Sequence, residues 1–201
     1  MNREMFFMLL ERDVSPSGLL LIQKAYWFAK NVHDWQRRDS GERYFEHPRA
    51  VATMLIDRGV RDPSILALAL IHDSIEDGFT PSGVIVGLFG PTIYRWLLIL
   101  SKKLPVFDEI TGKVIAWGKK DAGDYFAAIS AAPADVQRVK LADRLHNLKT
   151  CGDAWGQERI RKYIKETEKH LLPIAERVDL SFYAEMRLAI DNLKALEAKM
   201  G

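Results

Sequence analysis

One histidine and three carboxylic acids fall within a short stretch of the sequence, His72-Asp73-Ser74-Ile75-Glu76-Asp77. The residues just before it, 67–71, are all apolar, which predicts a buried helix that continues through Asp77. An isolated charge is costly to bury unless it is paired or bound to a metal. These side chains therefore need a shared partner, and a metal ion is the simplest one.

Helical spacing sorts these residues into pairs. His72 lies four residues before Glu76, and Asp73 four before Asp77, so each pair is expected on one side of the helix. His72 and Asp73 diverge by about 100° around the helix axis, yet can converge on one ion placed between them. Glu76 and Asp77, one turn further along, are suitably placed to orient a water molecule or to move its proton.

A second polar stripe is predicted on a later helix. Lys140, Asp143, Asn147 and Thr150 are spaced three or four residues apart, so they share one helical face. The stripe offers a cation, a carboxylate, an amide and a hydroxyl in one line. This combination suits a phosphate-bearing ligand beside a metal ion.

A histidine at the start of another helix completes a candidate set of metal ligands, which comprises His47, His72, Asp73 and Asp143. Two imidazoles and two carboxylates can hold several divalent ions. Four protein ligands would fill a tetrahedral zinc site and leave no position for water. We therefore expect an ion that takes six ligands, Mn²⁺ or Fe²⁺, which would polarise a phosphoryl oxygen and acidify a bound water.

The composition limits the class of protein. The chain has 201 residues and a formal net charge of +2, which predicts one domain over residues 1–201 and does not favour a nucleic-acid partner. A single cysteine excludes an intramolecular disulfide. The longest apolar runs, such as 96–100, are far shorter than the ~20 residues of a membrane span. We expect a cytoplasmic protein with no membrane contact, and the sequence carries no signal for an oligomeric state.

Apolar residues recur at helical spacing along nearly the whole chain, whereas alternating strand patterns are absent. The expected fold is an all-α, compact bundle of about eight to ten helices. Residues 104–118 contain Pro105, Gly112 and Gly118 and predict a loop. The predicted helices begin at Ser15 or Ser17 and reach about residue 29, and then cover 47–55, 63–77, 81–89, 91–103, 121–131, 134–150, 156–178 and 180–199.

Three segments together resemble the signatures of one family. Residues 38–42 with His47-Pro48 are similar to its first signature, residues 72–77 to its HD-x-x-ED signature, and residues 140–150 to its K-L-A-D-R-L-H-N pattern. The order and spacing agree over roughly residues 20–150. The chain thus resembles the hydrolase domain of the RelA/SpoT family, within the HD superfamily of metal-dependent phosphohydrolases.

This resemblance implies a specific activity. The family removes the 3′-pyrophosphate from ppGpp and pppGpp through a metal-bound water, giving GDP or GTP and pyrophosphate, usually with Mn²⁺. It also implies that the four candidate ligands hold the metal and that Glu76 and Asp77 are the catalytic acidic pair. The residues implied to contact the nucleotide substrate are Arg38, Ser40, Lys140, Asn147 and Thr150.

Two positions depart from the usual pattern of the family. Arg43 stands where the family usually has proline, and Gly78 replaces the threonine that usually follows the acidic pair. Both residues flank the expected site. They bear on the choice of substrate more than on the metal.

Three functions are compatible with these residues. Besides hydrolysis of ppGpp, the same chemistry can act on adenine alarmones such as ppApp or on another nucleotide that HD enzymes hydrolyse. A non-catalytic HD module that binds nucleotide is the third, although such a module would have no need of Glu76 and Asp77.

Simpler interpretations exist for single residues. His47 alone would suit a hydrogen-bonded histidine at a helix start, and Asp143 an ion pair with Lys140. His33 and His146 are expected to have structural roles rather than to bind the metal.

Overall fold

The computed structural model describes residues 2–77, 80–111, 113–152 and 154–200. Helices form most of this part and the only sheet in it is one two-stranded hairpin, so the expected all-α class is confirmed. The elements are α1 (Arg3–Met8), α2 (Pro16–Val32), α3 (Glu46–Asp57), α4 (Pro63–Ile71), α5 (Ser82–Leu100), β1 (Lys103–Phe107), β2 (Val114–Lys119), α6 (Ala122–Ala131), α7 (Ala134–Thr150), α8 (Gln157–Glu166), α9 (Leu172–Val178) and α10 (Leu180–Met200).

Two of these helices begin at a proline that follows a capping side chain. The Ser15 hydroxyl accepts a hydrogen bond from the N–H of Gly18 before α2. The Asp62 carboxylate accepts hydrogen bonds from two N–H groups of the first turn of α4. Pro16 and Pro63 then occupy the first turn, where a residue without an N–H leaves no helical hydrogen bond unmade.

Helix α4 lies at the centre of the bundle. Every residue from Ile65 to Ile71 is buried, and the helix packs against α2, α3, α5 and α7. A helix that is apolar on all sides must be surrounded by other elements. The end of α4 therefore brings His72 into the interior, beside polar side chains from α3 and α7.

Helix α5 consists of two segments that meet at Gly90, whose φ of 82° breaks the helix before Pro91. Glycine takes this positive φ without strain, and the break matches the two helices that the sequence predicts. By length and composition, α5 is the one helix in the described part that qualifies as a membrane span, with 28% of its apolar window buried. The break leaves each segment shorter than the ~20 residues that a span requires.

The segment after α4 differs from the expectation. α4 ends at Ile71, and residues 72–77 form consecutive turns instead of two more turns of helix. The N–H of Asp77 donates to the carbonyl of Asp73 (2.9 Å), but the N–H of Ser74 donates to that of Ile71 (2.9 Å), which closes a tighter turn. The carboxylates of this segment accept hydrogen bonds from other elements, Asp73 and Asp77 from the Tyr44 hydroxyl and Glu76 from the N–H of Lys103, and the segment leaves the helix where they cluster.

The prediction of a loop at residues 104–118 is wrong. The chain forms an antiparallel hairpin of β1 and β2, with Leu104 opposite Gly118. Gly112 and Gly78 lie outside the described residues.

Two further features refine the helical pattern. α1, which the sequence analysis does not include, is anchored by the buried ring of Phe6. The predicted helix at 156–178 contains a π-helical turn, Thr167–Leu171, between α8 and α9. Such turns often mark functional sites, and this one follows Glu166 directly.

Candidate metal centre

Side chains from two distant parts of the chain meet at the end of α4. His47 comes from the first turn of α3, His72 caps α4, and Asp73 follows it. Candidate ligand atoms of these three residues all lie within 4.8 Å of one another. Both imidazoles are buried, with His47 1% and His72 3% exposed.

Asp143 reaches the same cluster from α7. Its Oδ1 lies 3.2 Å from Nε2 of His47 and 3.8 Å from Nε2 of His72. Oδ2 of Asp73 lies 3.6 Å and 3.1 Å from the same two nitrogens. Two carboxylates thus face two imidazole nitrogens, which is the donor set that divalent ions accept.

The hydrogen bonding of His72 tests whether the cluster fits a cation. Its Nδ1 lies 2.8 Å from the carbonyl of Ala69, so Nδ1 donates and Nε2 is directed into the cluster. This buried Nε2 makes no hydrogen bond to any described residue, although the oxygen of Asp73 is 3.1 Å away. A buried nitrogen in this state has a natural partner in a metal ion. The residues therefore fit a divalent cation.

Burial and neighbouring charges shift the pKa values of His72, Asp73 and Asp143 in opposite directions. Burial lowers the pKa of His72, but the carboxylates of Asp73 and Asp143 outweigh it and raise this pKa to about 10. Burial raises the pKa of Asp73, yet the charge of His72 outweighs it and lowers this pKa overall. Lys140 likewise outweighs burial at Asp143 and holds its pKa well below the usual range. Both carboxylates are therefore ionised at neutral pH.

His47 is oriented by a second histidine. Burial lowers its pKa, so the ring is neutral at pH 7. Its Nδ1 lies 2.9 Å from Nδ1 of His146. A His47 ring that binds a metal through Nε2 carries its hydrogen on Nδ1. In this tautomer Nδ1 of His47 donates to Nδ1 of His146. Hydrogen bonds of this kind fix the tautomer of a histidine that binds a metal.

Tyr44 links Asp73 to Asp77. Its hydroxyl lies 2.9 Å from Oδ2 of Asp73 and 2.6 Å from Oδ2 of Asp77. A hydroxyl carries a single hydrogen, so it donates to one carboxyl group at a time. Burial raises the pKa of Asp77, and the charge of Asp73 raises it further. Tyr44 therefore connects a candidate metal ligand to one member of the acidic pair.

Glu76 points to a different neighbour. Its Oε1 accepts a hydrogen bond of 2.6 Å from the N–H of Lys103, at the start of β1. Burial raises the pKa of Glu76, and the charge of Lys140 offsets part of this shift. The hairpin therefore positions the carboxylate through its backbone, which the prediction of a loop did not include.

A cleft of about 740 Å³ opens above the cluster. All five residues implied to bind substrate line it, and so do both members of the acidic pair. Arg38 donates to Oδ1 of Asn147 (2.6 Å), whose Nδ2 donates to Asp143 (2.7 Å). Lys140 donates to Oδ2 of Asp143 (2.7 Å). This chain of hydrogen bonds joins the cleft wall to the candidate metal centre.

The other two residues implied to contact substrate, Ser40 and Thr150, are not part of this chain of hydrogen bonds. Ser40 is exposed at the mouth of the cleft. The hydroxyl of Thr150 donates to the carbonyl of His146 (2.9 Å) within its own helix. Both hydroxyls line the cleft without contacting the cluster.

One wall of the cleft, formed by Trp155 and Arg159, was not predicted from the sequence. Nε1 of Trp155 and the guanidinium of Arg159 both donate to Oδ2 of Asp39, at 2.7 Å and 2.8 Å. The guanidinium also lies 3.7 Å above the ring of Trp155. Asp39 is more than 110 residues from Trp155 and Arg159 in the sequence, so no local pattern predicts this contact.

Comparisons with known proteins identify the family of this chain. A family model described as "HD domain" matches residues 25–181. The GTP pyrophosphokinase rsh of Brucella suis biovar 1 is 36% identical over 175 residues, or 86% of this chain and 22% of that protein. The guanosine-3′,5′-bis(diphosphate) 3′-pyrophosphohydrolase of Aquifex aeolicus is 36% identical over 159 residues, or 78% and 21%. The chain spans about a fifth of the length of these relatives.

A solved structure shares the fold. It belongs to a metazoan ortholog of SpoT that is described as hydrolysing ppGpp. The TM-score is 0.69 at 19% sequence identity, and the match covers 86% of this chain and 94% of that one.

Proposed function

Since this chain belongs to the HD-domain family, we propose that it is a metal-dependent 3′-pyrophosphohydrolase of ppGpp and pppGpp. The products are GDP or GTP and pyrophosphate. One observation carries the proposal: two buried imidazole nitrogens and two carboxylates face one another beneath a cleft lined with basic groups. The activity of the Aquifex relative, as its name states it, is the same reaction.

The proposed metal ligands are His47, His72, Asp73 and Asp143, and the proposed ion is Mn²⁺. These nitrogen and carboxylate donors would hold Mn²⁺ or Fe²⁺. When bound, the ion supplies positive charge that polarises a phosphoryl oxygen and makes a nearby water more acidic. The orphaned Nε2 of His72 supports this assignment.

The basic residues of the cleft account for the binding of a tetra- or pentaphosphate nucleotide. Lys140 is held next to Asp143, so its ammonium group lies beside the proposed metal. Arg38 and Asn147 form a donor pair further along the same wall, suited to the ribose or its phosphates. Ser40 and Thr150 add hydroxyls at the cleft surface.

The reaction requires two proton movements. A water oxygen bonds to the phosphorus next to O3′, and the bond from this phosphorus to O3′ breaks. The water loses a proton, which the Glu76 carboxylate accepts, and O3′ gains one to become the 3′-hydroxyl. We assign the donation of that second proton to Asp77, the other member of the acidic pair, which lies beside the Tyr44 hydroxyl and whose pKa is raised by burial.

The proposed partner is a small nucleotide in the cytoplasm rather than nucleic acid or a membrane. The net charge of +2 is small, whereas cationic side chains are concentrated in the cleft. Local positive charge suits a compact polyanion. We also propose that residues 1–201 form a single domain of this type.

A panel of nucleotides tests the activity. Metal-depleted and Mn²⁺-loaded protein is incubated with ppGpp, pppGpp, ppApp, dAMP and a cyclic nucleotide, and products are identified by chromatography. The proposal predicts one pyrophosphate for each GDP or GTP formed, only with metal. Turnover confined to dAMP or the cyclic nucleotide would contradict it, and preference for ppApp would move the substrate to adenine alarmones.

Two variants sharpen the panel. Glu76→Gln removes the proposed proton acceptor, whereas Glu109→Gln makes the same change at an exposed position in the turn of the hairpin. Activity should be lost in the first and kept in the second. Tight ppGpp binding with no pyrophosphate release by unaltered Mn²⁺-loaded protein would indicate a non-catalytic module.

A further inference from the structure

Two cations in the cleft share one carboxylate oxygen. Nζ of Lys102 and a terminal nitrogen of Arg144 both donate to Oε1 of Glu166, at 2.8 Å and 2.5 Å. Burial raises the pKa of Glu166, but its two cationic partners outweigh burial and lower the pKa to about 2. Glu166 is therefore ionised at neutral pH and attracts both groups.

The two cations are held very differently. The Arg144 side chain is 2% exposed, lies 3.8 Å from the ring of Tyr163 and also donates to the hydroxyl of Thr167 (3.1 Å). The Lys102 side chain is 35% exposed and has Glu166 as its one ion-pair partner among the described residues. Arg144 is therefore fixed, whereas Lys102 can exchange Glu166 for another anion.

Lys102 lines the same cleft as three of the candidate metal ligands. Its Nζ is 5.3 Å from the ring centroid of Tyr125, and Nζ of Lys140 is 5.6 Å from the same centroid. Lys140 in turn donates to Asp143, a proposed metal ligand. The two ammonium groups therefore border one aromatic ring, with the proposed metal next to the second of them.

The local charges leave room for an anion. Lys140 is neutralised by Asp143, but Lys102 and Arg144 have one carboxylate between them. Nε of Arg144 is also buried and without a hydrogen bond among the described residues. The cluster thus carries excess positive charge and an unused donor.

We infer that Lys102 binds the terminal phosphate of the 3′-diphosphate and then the pyrophosphate product, and that Glu166 is its positioning residue. In the free protein Glu166 holds Lys102 at the cleft wall. The terminal phosphate displaces that carboxylate, and Glu166 takes Lys102 back as pyrophosphate departs. The assignment of the anion rests on the proposed function, but the exchange of partners does not.

Binding of inorganic pyrophosphate to Mn²⁺-loaded protein tests the inference without any turnover. Titration calorimetry of Lys102→Met should give a dissociation constant at least about tenfold higher than that of the unaltered protein, because a charge-assisted hydrogen bond is lost. Lys102→Arg should restore most of the affinity. Lys119→Met, an exposed lysine of the same hairpin, is the matched control and should change the constant less than twofold.

Glu166→Gln separates positioning from a purely structural role. Removing the competing carboxylate should tighten pyrophosphate binding by about two- to fivefold, the scale of a partly exposed ion pair. The double variant Lys102→Met/Glu166→Gln should bind as weakly as Lys102→Met alone. A structural role for Glu166 would instead weaken binding in both backgrounds, and thermal melts report whether the fold is intact.

The outcomes distinguish this inference from the proposed function. Pyrophosphate affinity that does not depend on Lys102 overturns the inference, even if ppGpp is hydrolysed. Affinity that depends on Lys102 in a protein that leaves ppGpp intact supports the exchange and contradicts the hydrolase instead.

Discussion

Metal binding should become tighter as pH rises, because the cation must displace a proton from His72. The carboxylates of Asp73 and Asp143 outweigh burial and raise the pKa of His72 to about 10 in the metal-free protein. The imidazole is therefore protonated at neutral pH, and its Nε2 is free to bind metal only after that proton leaves. The affinity for Mn²⁺ should increase with pH throughout the range below this pKa.

The magnitude follows from counting protons. Burial lowers the pKa of His47, so that ring contributes no proton above pH 6.5. The pKa values of Asp73 and Asp143 are both lowered, so these carboxylates are already ionised. One proton is released for each ion bound, which means about tenfold in affinity per pH unit and about a hundredfold between pH 6.5 and 8.5.

Calorimetric titration with Mn²⁺ at several pH values measures this slope directly. Repeating it in two buffers with different heats of ionisation counts the protons released. His170→Gln, a change at a ring that stacks on Phe126, is the control and should keep the slope. An affinity independent of pH, or no proton release, would refute the assignment of His72 as a protonated ligand.

Three further outcomes follow from the same geometry. Asp143→Asn should reduce retained Mn²⁺ after gel filtration to background, because a ligand is lost while Lys140 keeps its positive charge; metal content equal to that of the unaltered protein would contradict this. Glu76→Gln should retain the metal, yet lower kcat for ppGpp at least about a hundredfold, the usual contribution of a general base; an unchanged kcat would remove Glu76 from the mechanism. Glu166 should stabilise the fold above pH 4.5 and lose this effect as pH falls towards its folded pKa of about 2, because only the ionised form pairs with Arg144. In urea titrations, Glu166→Gln should therefore be destabilised at pH 7 but not near pH 2, and an equal deficit at both values would contradict the pairing.

The elements that carry the site were largely predictable from local signals. Prolines after capping residues mark the starts of α2 and α4, and the helical stripe at Asp143 and Asn147 matches the observed face of α7. These signals are short-range, since a cap or a helical repeat depends on residues a few positions apart.

The conformation of residues 72–77 was not predictable in the same way. Helical spacing predicts that Glu76 follows His72 on one face, but the chain leaves the helix at Ile71. The Tyr44 hydroxyl donates a hydrogen bond to Asp77, and the N–H of Lys103, at the start of β1, donates one to Glu76. Tertiary hydrogen bonds to carboxylates outweigh helical propensity here, and their partners are distant in sequence.

The hairpin and the far wall of the cleft were missed for a different reason. All residues of β2 but one are exposed, so no alternation of buried and exposed side chains marks it as a strand. Glu166 lies in a run of charged residues that is typical of a solvated helical face, yet it pairs with buried Arg144. Such contacts depend on how helices pack together, which a single sequence does not encode locally.

Anomalous scattering at the manganese edge, from crystals of the Mn²⁺-loaded protein, tests the central claim most directly. A single peak is expected within about 2.5 Å of Nε2 of His47, Nε2 of His72 and carboxylate oxygens of Asp73 and Asp143. A loaded crystal with no peak among these side chains, or with its peak elsewhere in the molecule, would contradict the proposed metal centre.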